Sequence, residues 1–298
     1  MARAGASGKT HGELARATTA VALVANEHSG SSDPALCAAR LEASGARVER
    51  FDIEELEQAV RSRPDRLVVA GGDGSIAPAA AATGSAGIPL AVAPAGTAND
   101  FADRLGVPSD LSAACELAVR GTRLRELELG WINEERPFVN VASAGLPAPA
   151  ARRAGSWKRL LGPLSYGLGA VSAGLTAKPL RCLVDCDGRE LLAGDAWQVT
   201  VAASGAFGAG AAIKEADPAD GSLEVVAIEA GPRIGLVSLA YRLRSGGVTD
   251  HPRAFHATCI TAEVLGPDGT TFNVDGELAT IGPARFTVQP GAFRLVVG

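Results

Sequence analysis

Short, wholly apolar runs recur along the first part of the chain: Val21-Ala22-Leu23-Val24, Leu67-Val68-Val69-Ala70 and Leu90-Ala91-Val92-Ala93. Runs without polar alternation mark strands covered on both faces. Helix signals separate them. Ser32 or Asp33 caps a helix with Pro34 in its first turn, and Gly45 ends it. A strand follows near Arg47–Phe51. Asp52 and Glu55 then have the spacing of a capping box for a helix reaching Arg63. An Ala-rich helix follows Leu67–Ala70, and Asp110 caps another that stops at Gly121. Strands alternating with single helices predict a doubly wound parallel sheet with right-handed crossovers.

Beyond about Gly130 the rhythm changes. Strand-like runs appear at Leu180–Asp185, Gln198–Ala203, Leu223–Glu229, His256–Leu265, Thr271–Val274 and Phe286–Val288. Asp187-Gly188 and Asp268-Gly269 sit between such runs as hairpin turns do. Helical stretches interrupt near Ser156–Leu175 and Ile234–Arg244. The expected fold class is α/β plus all-β. Residues 1–19 are a small, polar, disordered lead, 20–130 an N-terminal doubly wound α/β domain, and 131–290 an antiparallel β-sandwich.

Composition narrows the function. In 298 residues, 47% are hydrophobic and 20% charged, which is globular. The net charge of -5 argues against nucleic-acid binding, which needs a basic face. The five cysteines are scattered, so reduced thiols in a cytoplasm fit better than a zinc site. No run is apolar and long enough to span a bilayer, and the first residues lack the apolar core of a secretory signal. Gly8-Lys9-Thr10 imitates the end of a P-loop, but no strand precedes it.

Two turns carry candidate chemistry. Gly71-Gly72-Asp73-Gly74-Ser75 follows a buried strand and precedes a helix. Glycines let the backbone approach phosphate oxygens, and successive N–H groups form an anion nest. Ser75 is expected to cap the helix, whose N-terminus favours negative charge. Asp73 would repel bare phosphate, so it points to a bound cation or a polar network. The alternative is a tight turn without a ligand. Pro94-Ala95-Gly96-Thr97-Ala98-Asn99-Asp100-Phe101 follows the next buried strand and stands at the same sheet edge, where α/β folds bind ligands. Alone it is a helix N-terminus; beside the first turn it makes a cleft rim.

These two motifs in this order resemble the diacylglycerol kinase catalytic-domain family, which includes bacterial lipid kinases and sphingosine kinases and has the NAD kinases as distant relatives. Asn26-Glu27-His28-Ser29-Gly30 is similar to the family's first-strand turn, and Asn140-Val141-Ala142-Ser143-Ala144-Gly145 to its interdomain segment. Gly162-Pro163-Leu164-Ser165-Tyr166, Asp220-Gly221-Ser222-Leu223-Glu224-Val225 and Asp275-Gly276-Glu277 continue the match.

The resemblance implies an active site between the two domains, with the last strand, 291–298, returning to the first. It implies an ATP-dependent lipid kinase acting on a diacylglycerol-like or long-chain-base hydroxyl; the alternatives are a kinase of a soluble acceptor, as in the NAD kinase branch, and a non-catalytic nucleotide- or lipid-binding protein. Asn26, Gly71, Gly72, Asp73, Gly74, Ser75, Gly96, Thr97, Asn99 and Asp100 are then nucleotide contacts. Glu277 is the general base, with Asp275 on the same face if the segment stays extended. Asp220 is a Mg2+ ligand, flanked by the carbonyls of Asp217 and Ser222.

The partner implied is a membrane lipid. Arg152, Arg153, Lys158 and Arg159 lie beside Trp157, Leu160, Leu161 and Leu164 in one helical stripe, which suits peripheral contact with the inner face of an anionic membrane. The alternative is a helix packed on the protein with its charges in water. The sequence departs from the family at Ala77-Pro78, where Asn and then Glu are usual, and at Glu27, where Pro is usual. Ser204–Gly210 also replaces a stretch in which Asn before Gly is common.

Overall fold

The computed structural model describes residues 18–25, 33–96, 99–146, 178–207, 211–245 and 247–298. Expectations for the N-terminal lead to residue 17, Asn26 and its turn, Thr97, the helix at 156–175 with the basic stretch Arg152–Leu164, and Gly208–Gly210 lie outside the described residues.

The N-terminal α/β domain runs β1 (Thr19–Ala25), α1 (Pro34–Ala43), β2 (Ala46–Asp52), a 3-10 turn (Ile53–Glu55), α2 (Leu56–Arg61), β3 (Arg66–Gly71), α3 (Asp73–Ala86), β4 (Leu90–Pro94), α4 (Asp100–Arg104) and α5 (Leu111–Arg120). β2, β1, β3 and β4 pair in parallel in that order. Alternate residues of each strand feed different layers, which is why their sequences read as unbroken apolar runs. Ala22, Val24, Leu67, Val69, Leu90 and Val92 pack with α3, whereas Val21, Leu23, Val68, Ala70, Ala91 and Ala93 pack with α1 and α5.

The cap signals form as read. Asp33 accepts from the Leu36 N–H, Asp52 and Glu55 close a capping box, and Asp110 accepts from the Ala113 N–H. In α3, Ala77, Ala79 and Ala80 are buried against the sheet while Pro78 faces out. Pro78 has no N–H to offer the Gly74 carbonyl one turn earlier.

The chain then crosses by β5 (Arg123–Ile132), β6 (Arg136–Phe138) and β7 (Val141–Gly145) into an antiparallel β-rich region. This holds β8 (Leu180–Cys186), β9 (Arg189–Ala202), β10 (Ala206–Phe207), β11 (Ala211–Ala212), β12 (Leu223–Glu229), α6 (Gly235–Ser245), β13 (Ala254–Cys259), β14 (Thr261–Leu265), β15 (Thr271–Val274), β16 (Glu277–Thr280) and β17 (Ala284–Val297). Phe138, Phe272 and Phe286 meet at its centre with ring centroids 5.7–6.2 Å apart.

Two turn expectations diverge here. Asp187-Gly188 is a hairpin between β8 and β9, both residues at positive φ. Asp268-Gly269 instead joins β14 to β15, which do not pair with each other. The run His256–Leu265 breaks at Ile260 into β13, which pairs with β12, and β14, which pairs with β8 and β17.

β17 ties the halves together. Its first residues pair with β14; after an irregularity between Gln289 and Phe293 it continues along β5, and Leu295 pairs in parallel with Leu90 of β4. Phe286 enters the C-terminal core, and Phe293 and Leu295 the N-terminal one. α3 rests on this strand so closely that a Cβ on Gly84 would stand 1.9 Å from the Ala292 carbonyl oxygen. The last strand therefore returns to the first domain, and it begins earlier than residue 291.

Candidate active site

β3 delivers the first turn. The Gly71 carbonyl accepts from the Ala95 N–H at 3.1 Å, which binds the two glycine turns edge to edge. A Cβ on Gly96 would lie 2.4 Å from the Gly72 Cα, so glycine is required on steric grounds. Gly72, not Ser75, caps α3, and no side chain caps it. Ser75 lies within the first turn, its N–H bonded to the Gly72 carbonyl at 3.0 Å. The leading N–H groups of α3 are thus not taken by a capping side chain.

Asp73 is used for a polar network. Its two oxygens accept from the Asp100 and Phe101 N–H groups at 3.1 Å each and so cap α4, and the Asn140 side chain bonds to it as well. Burial pushes its carboxyl up, against the pull of these donors. Asn99 sits in the left-handed region at φ 56 and closes its own turn: Oδ1 accepts from the Gly96 N–H at 2.9 Å and Nδ2 donates to the Gly96 carbonyl at 3.0 Å. Its side chain shapes the rim.

The opposite wall is the β15–β16 hairpin. Asp275 and Gly276 both have positive φ, 47 and 91, as the tight two-residue turns of hairpins require. The extended segment expected here does not form, so Asp275 and Glu277 do not share a face by strand alternation. Asp275 is buried, and its carboxylate accepts from the N–H groups of Val139, Asn140 and Val141 at 2.8, 2.9 and 3.0 Å. It fastens the segment that joins the two halves. Burial, with Asp73 nearby, pushes its carboxyl up to about 7 against those three donors. Asn140 completes the link, its Oδ1 accepting from the Ser204 hydroxyl at 2.6 Å. Glu277 opens β16 with its side chain 63% exposed. A Cβ on Gly74 would meet its Oε1 at 2.7 Å, so this carboxylate lies directly on the glycine turn. Its Oε2 is 3.0 Å from Nη2 of Arg136.

A second acidic group lies where β5 meets the turn before β12. Asp220 Oδ1 accepts from the Ser222 N–H and hydroxyl at 2.9 and 2.7 Å. Asp217 Oδ1 pairs with Arg125 at 3.1 Å. Between them stands Glu128, which is not among the residues expected from the sequence. It is 2% exposed, its Oε2 accepts from the Gly221 N–H at 2.7 Å, and its Oε1 has no partner. Burial, joined by the charges of Asp220 and Asp217, pushes it up to about 7. The sequence does not mark it, because Glu126 and Glu128 both alternate with leucines in Leu124-Arg125-Glu126-Leu127-Glu128-Leu129.

An orphaned buried carboxylate oxygen among hard oxygen donors fits a small divalent cation such as Mg2+. Among the described residues, however, no three His, Cys, Asp or Glu side chains converge as a ready metal cage. Backbone carbonyls and water would have to complete the shell.

Both halves of the chain are similar to known proteins. Residues 20–132 match the diacylglycerol kinase catalytic domain, and residues 140–297 match the YegS C-terminal NAD kinase beta sandwich-like domain. A protein of Pectobacterium atrosepticum named "Probable lipid kinase YegS-like" is 30% identical over 80% of both chains. A diacylglycerol kinase of Mycobacterium tuberculosis is 27% identical over 81% of this chain and 79% of its own. The crystal structure of a diacylglycerol kinase from Bacillus anthracis superposes with a TM-score of 0.73 at 20% identity, covering 95% of this chain and 98% of that one. The two matches together span nearly all of the chain from residue 20 onward, and the chain belongs to the diacylglycerol kinase catalytic-domain family.

Proposed function

We propose that this protein is an ATP-dependent lipid kinase that transfers the γ-phosphoryl group to a hydroxyl of a diacylglycerol-like or long-chain-base lipid, with Glu277 as general base. The observation that carries the reading is the contact of Glu277 with Gly74, which brings a carboxylate from the C-terminal region onto a turn suited to phosphate. A base must stand within reach of the hydroxyl it deprotonates while that hydroxyl faces the phosphorus.

The phosphates lie along Gly71–Ser75, held by backbone N–H groups at the start of α3. A pocket of about 480 Å3 at the carboxyl ends of β1 and β2, lined by Leu23, Arg50, Phe51, Asp52 and Glu54 among others, gives room at the same sheet edge for the base and ribose. Glu277 takes the hydroxyl proton as the acceptor oxygen attacks. Asp73 and Asp275 hold the walls in register and do not touch the reacting atoms. Thr97 and Asn26 complete the nucleotide site, as the family resemblance implies.

Mg2+ bound with ATP offsets phosphate charge. A further Mg2+ would be held by Asp220, with Glu128 and the carbonyls of Asp217 and Ser222 as the other oxygen donors. Among the described residues no helix is long and apolar enough to cross a membrane. The place proposed for the protein is the cytoplasm, with peripheral access to a membrane substrate through Arg152–Leu164, as the family resemblance implies.

The test is phosphorylation of lipids in mixed micelles with Mg2+ and labelled ATP, the products read by mass. The wild type is expected to label a hydroxyl-bearing lipid. Glu277→Gln is expected to lose about 10²–10⁴-fold in rate, the usual worth of a general base, while still binding nucleotide. Transfer to a soluble alcohol but to no lipid would replace the acceptor class. Full activity of Glu277→Gln would remove it from the mechanism.

A further inference from the structure

The walls of the cleft pose a problem of charge. Its described acidic groups include Asp73, Asp100, Asp275 and Glu277, and a triphosphate adds more negative charge. Glu277 spans the gap between Gly74 and a cation: one oxygen lies on the turn, and the other is 3.0 Å from Arg136. Arg136 is the first residue of β6, fixed by pairing opposite Ile132 of β5. Its guanidinium is therefore one carboxylate width from the place where phosphate is expected. The ion pair is open to water, with side chains 38% and 63% exposed, so separating it costs little. Arginine also carries a planar fork of donors that matches phosphoryl oxygens.

We propose that Arg136 is a catalytic residue of the transfer, exchanging its ion pair with Glu277 for the oxygens of the phosphoryl group in flight. The inference rests on the reading of Gly71–Ser75 as the phosphate turn. Before ATP binds, Arg136 occupies Oε2 of Glu277. The γ-phosphoryl group draws the guanidinium away and frees that oxygen for the hydroxyl proton. The bond between the acceptor oxygen and the γ-phosphorus forms. The bond from the γ-phosphorus to the bridging oxygen breaks, its electron pair leaving with ADP. The hydroxyl proton passes to Glu277, and Arg136 keeps its protons throughout. Arrival of the phosphoryl group thereby releases the base.

The experiment compares binding of Mg2+–ADP with binding of Mg2+–ADP plus aluminium fluoride, which imitates the group in transfer. Full-length wild type, Arg136→Ala and Arg136→Lys are titrated by calorimetry, with thermal melting as a check on folding. Fluoride is expected to tighten ADP binding in the wild type. Arg136→Ala should lose roughly 10²-fold of that gain, the scale of one transition-state donor, with ADP alone unchanged. Arg136→Lys should keep part of it. In the micelle assay, kcat of Arg136→Ala should fall with the KM for ATP held, and added guanidinium should restore some rate. Equal fluoride gains in folded wild type and Arg136→Ala overturn the proposal. An equal loss for ADP and for the fluoride complex also overturns it, because Arg136 is then an ordinary ground-state contact. A wild type that binds no nucleotide refutes the phosphate-turn reading itself, and the proposal falls with it.

Discussion

Replacing Gly74 by Ala should separate stability from activity, moving them in opposite directions. Gly74 lies in the first turn of α3 and is not among the positive-φ residues, so the backbone accepts a side chain there without strain. The new methyl would stand 2.7 Å from Glu277 Oε1 and 3.1 Å from its Cδ, whereas ordinary contact begins at 3.4 Å. What it strikes is the end of a flexible, exposed side chain, so Glu277 retreats by about 0.7 Å and the fold survives. Gly-to-Ala in a helix gains about 0.5 kcal/mol, which moves a melting temperature by roughly 1–2 °C in a chain of this size. Misplacing a catalytic group by a comparable distance costs about 10²-fold in rate. The expected variant melts no lower than the wild type and turns over about a hundredfold more slowly. Circular-dichroism melting and the micelle assay, run on one preparation, check both. A variant with wild-type kcat would refute the claim that Glu277 works from its position on Gly74.

Other expectations follow from the buried acids. Asp275→Asn leaves one carbonyl oxygen to serve three N–H groups, and should destabilise the protein by roughly 2–4 kcal/mol through stranded donors, read by urea unfolding. The Asp275 carboxyl is raised, so the folded state holds its proton more tightly than the unfolded chain. Its contribution to stability is therefore fully present below about pH 4 and is lost as pH rises through about 7. Melting temperatures taken across that window should fall more steeply for the wild type than for Asp275→Asn. Mg2+ should raise the melting temperature of the wild type by mass action, and Asp220→Asn and Glu128→Gln should each reduce the rise.

What the sequence discloses depends on how local the signal is. Leu67–Ala70 and Leu90–Ala93 announce strands because both faces are buried, and Asp33, Asp52 and Asp110 announce helices because a cap acts within three residues. β9 was underestimated because Glu190 and Asp195 interrupt a strand that continues past them to Ala202. The break at Ile260 could not be foreseen: one apolar run serves two neighbours, and periodicity names no partner. At the site, the glycine turns were legible because close backbone approach demands glycine at Gly72 and Gly96. Ser75 reads as a cap in the sequence, but Gly72 supplies the cap position. Asp275 reads as sharing a strand face with Glu277, but its left-handed turn brings the carboxylate back onto residues 139–141, contacts far away in sequence. Arg136 carried no local mark, since its meaning arises from Glu277 across the hairpin. The Ala77-Pro78 departure has a packing account: Ala77 is buried against the sheet and Pro78 is exposed.

The long final strand has a consequence for synthesis. A ribosome delivers Thr19–Pro94 early, yet the sheet they form keeps an open edge at Leu90 until Leu295 arrives. β5 waits for the same strand along most of its length. Contacts that distant in sequence close slowly. The β15–β16 wall can face the glycine turns only after residues 271–280 have left the exit tunnel, and the first domain is finished only when β17 follows them. Until then the apolar face that receives Phe293 is exposed, which makes the interval before β17 emerges the stage at which this protein most needs a chaperone.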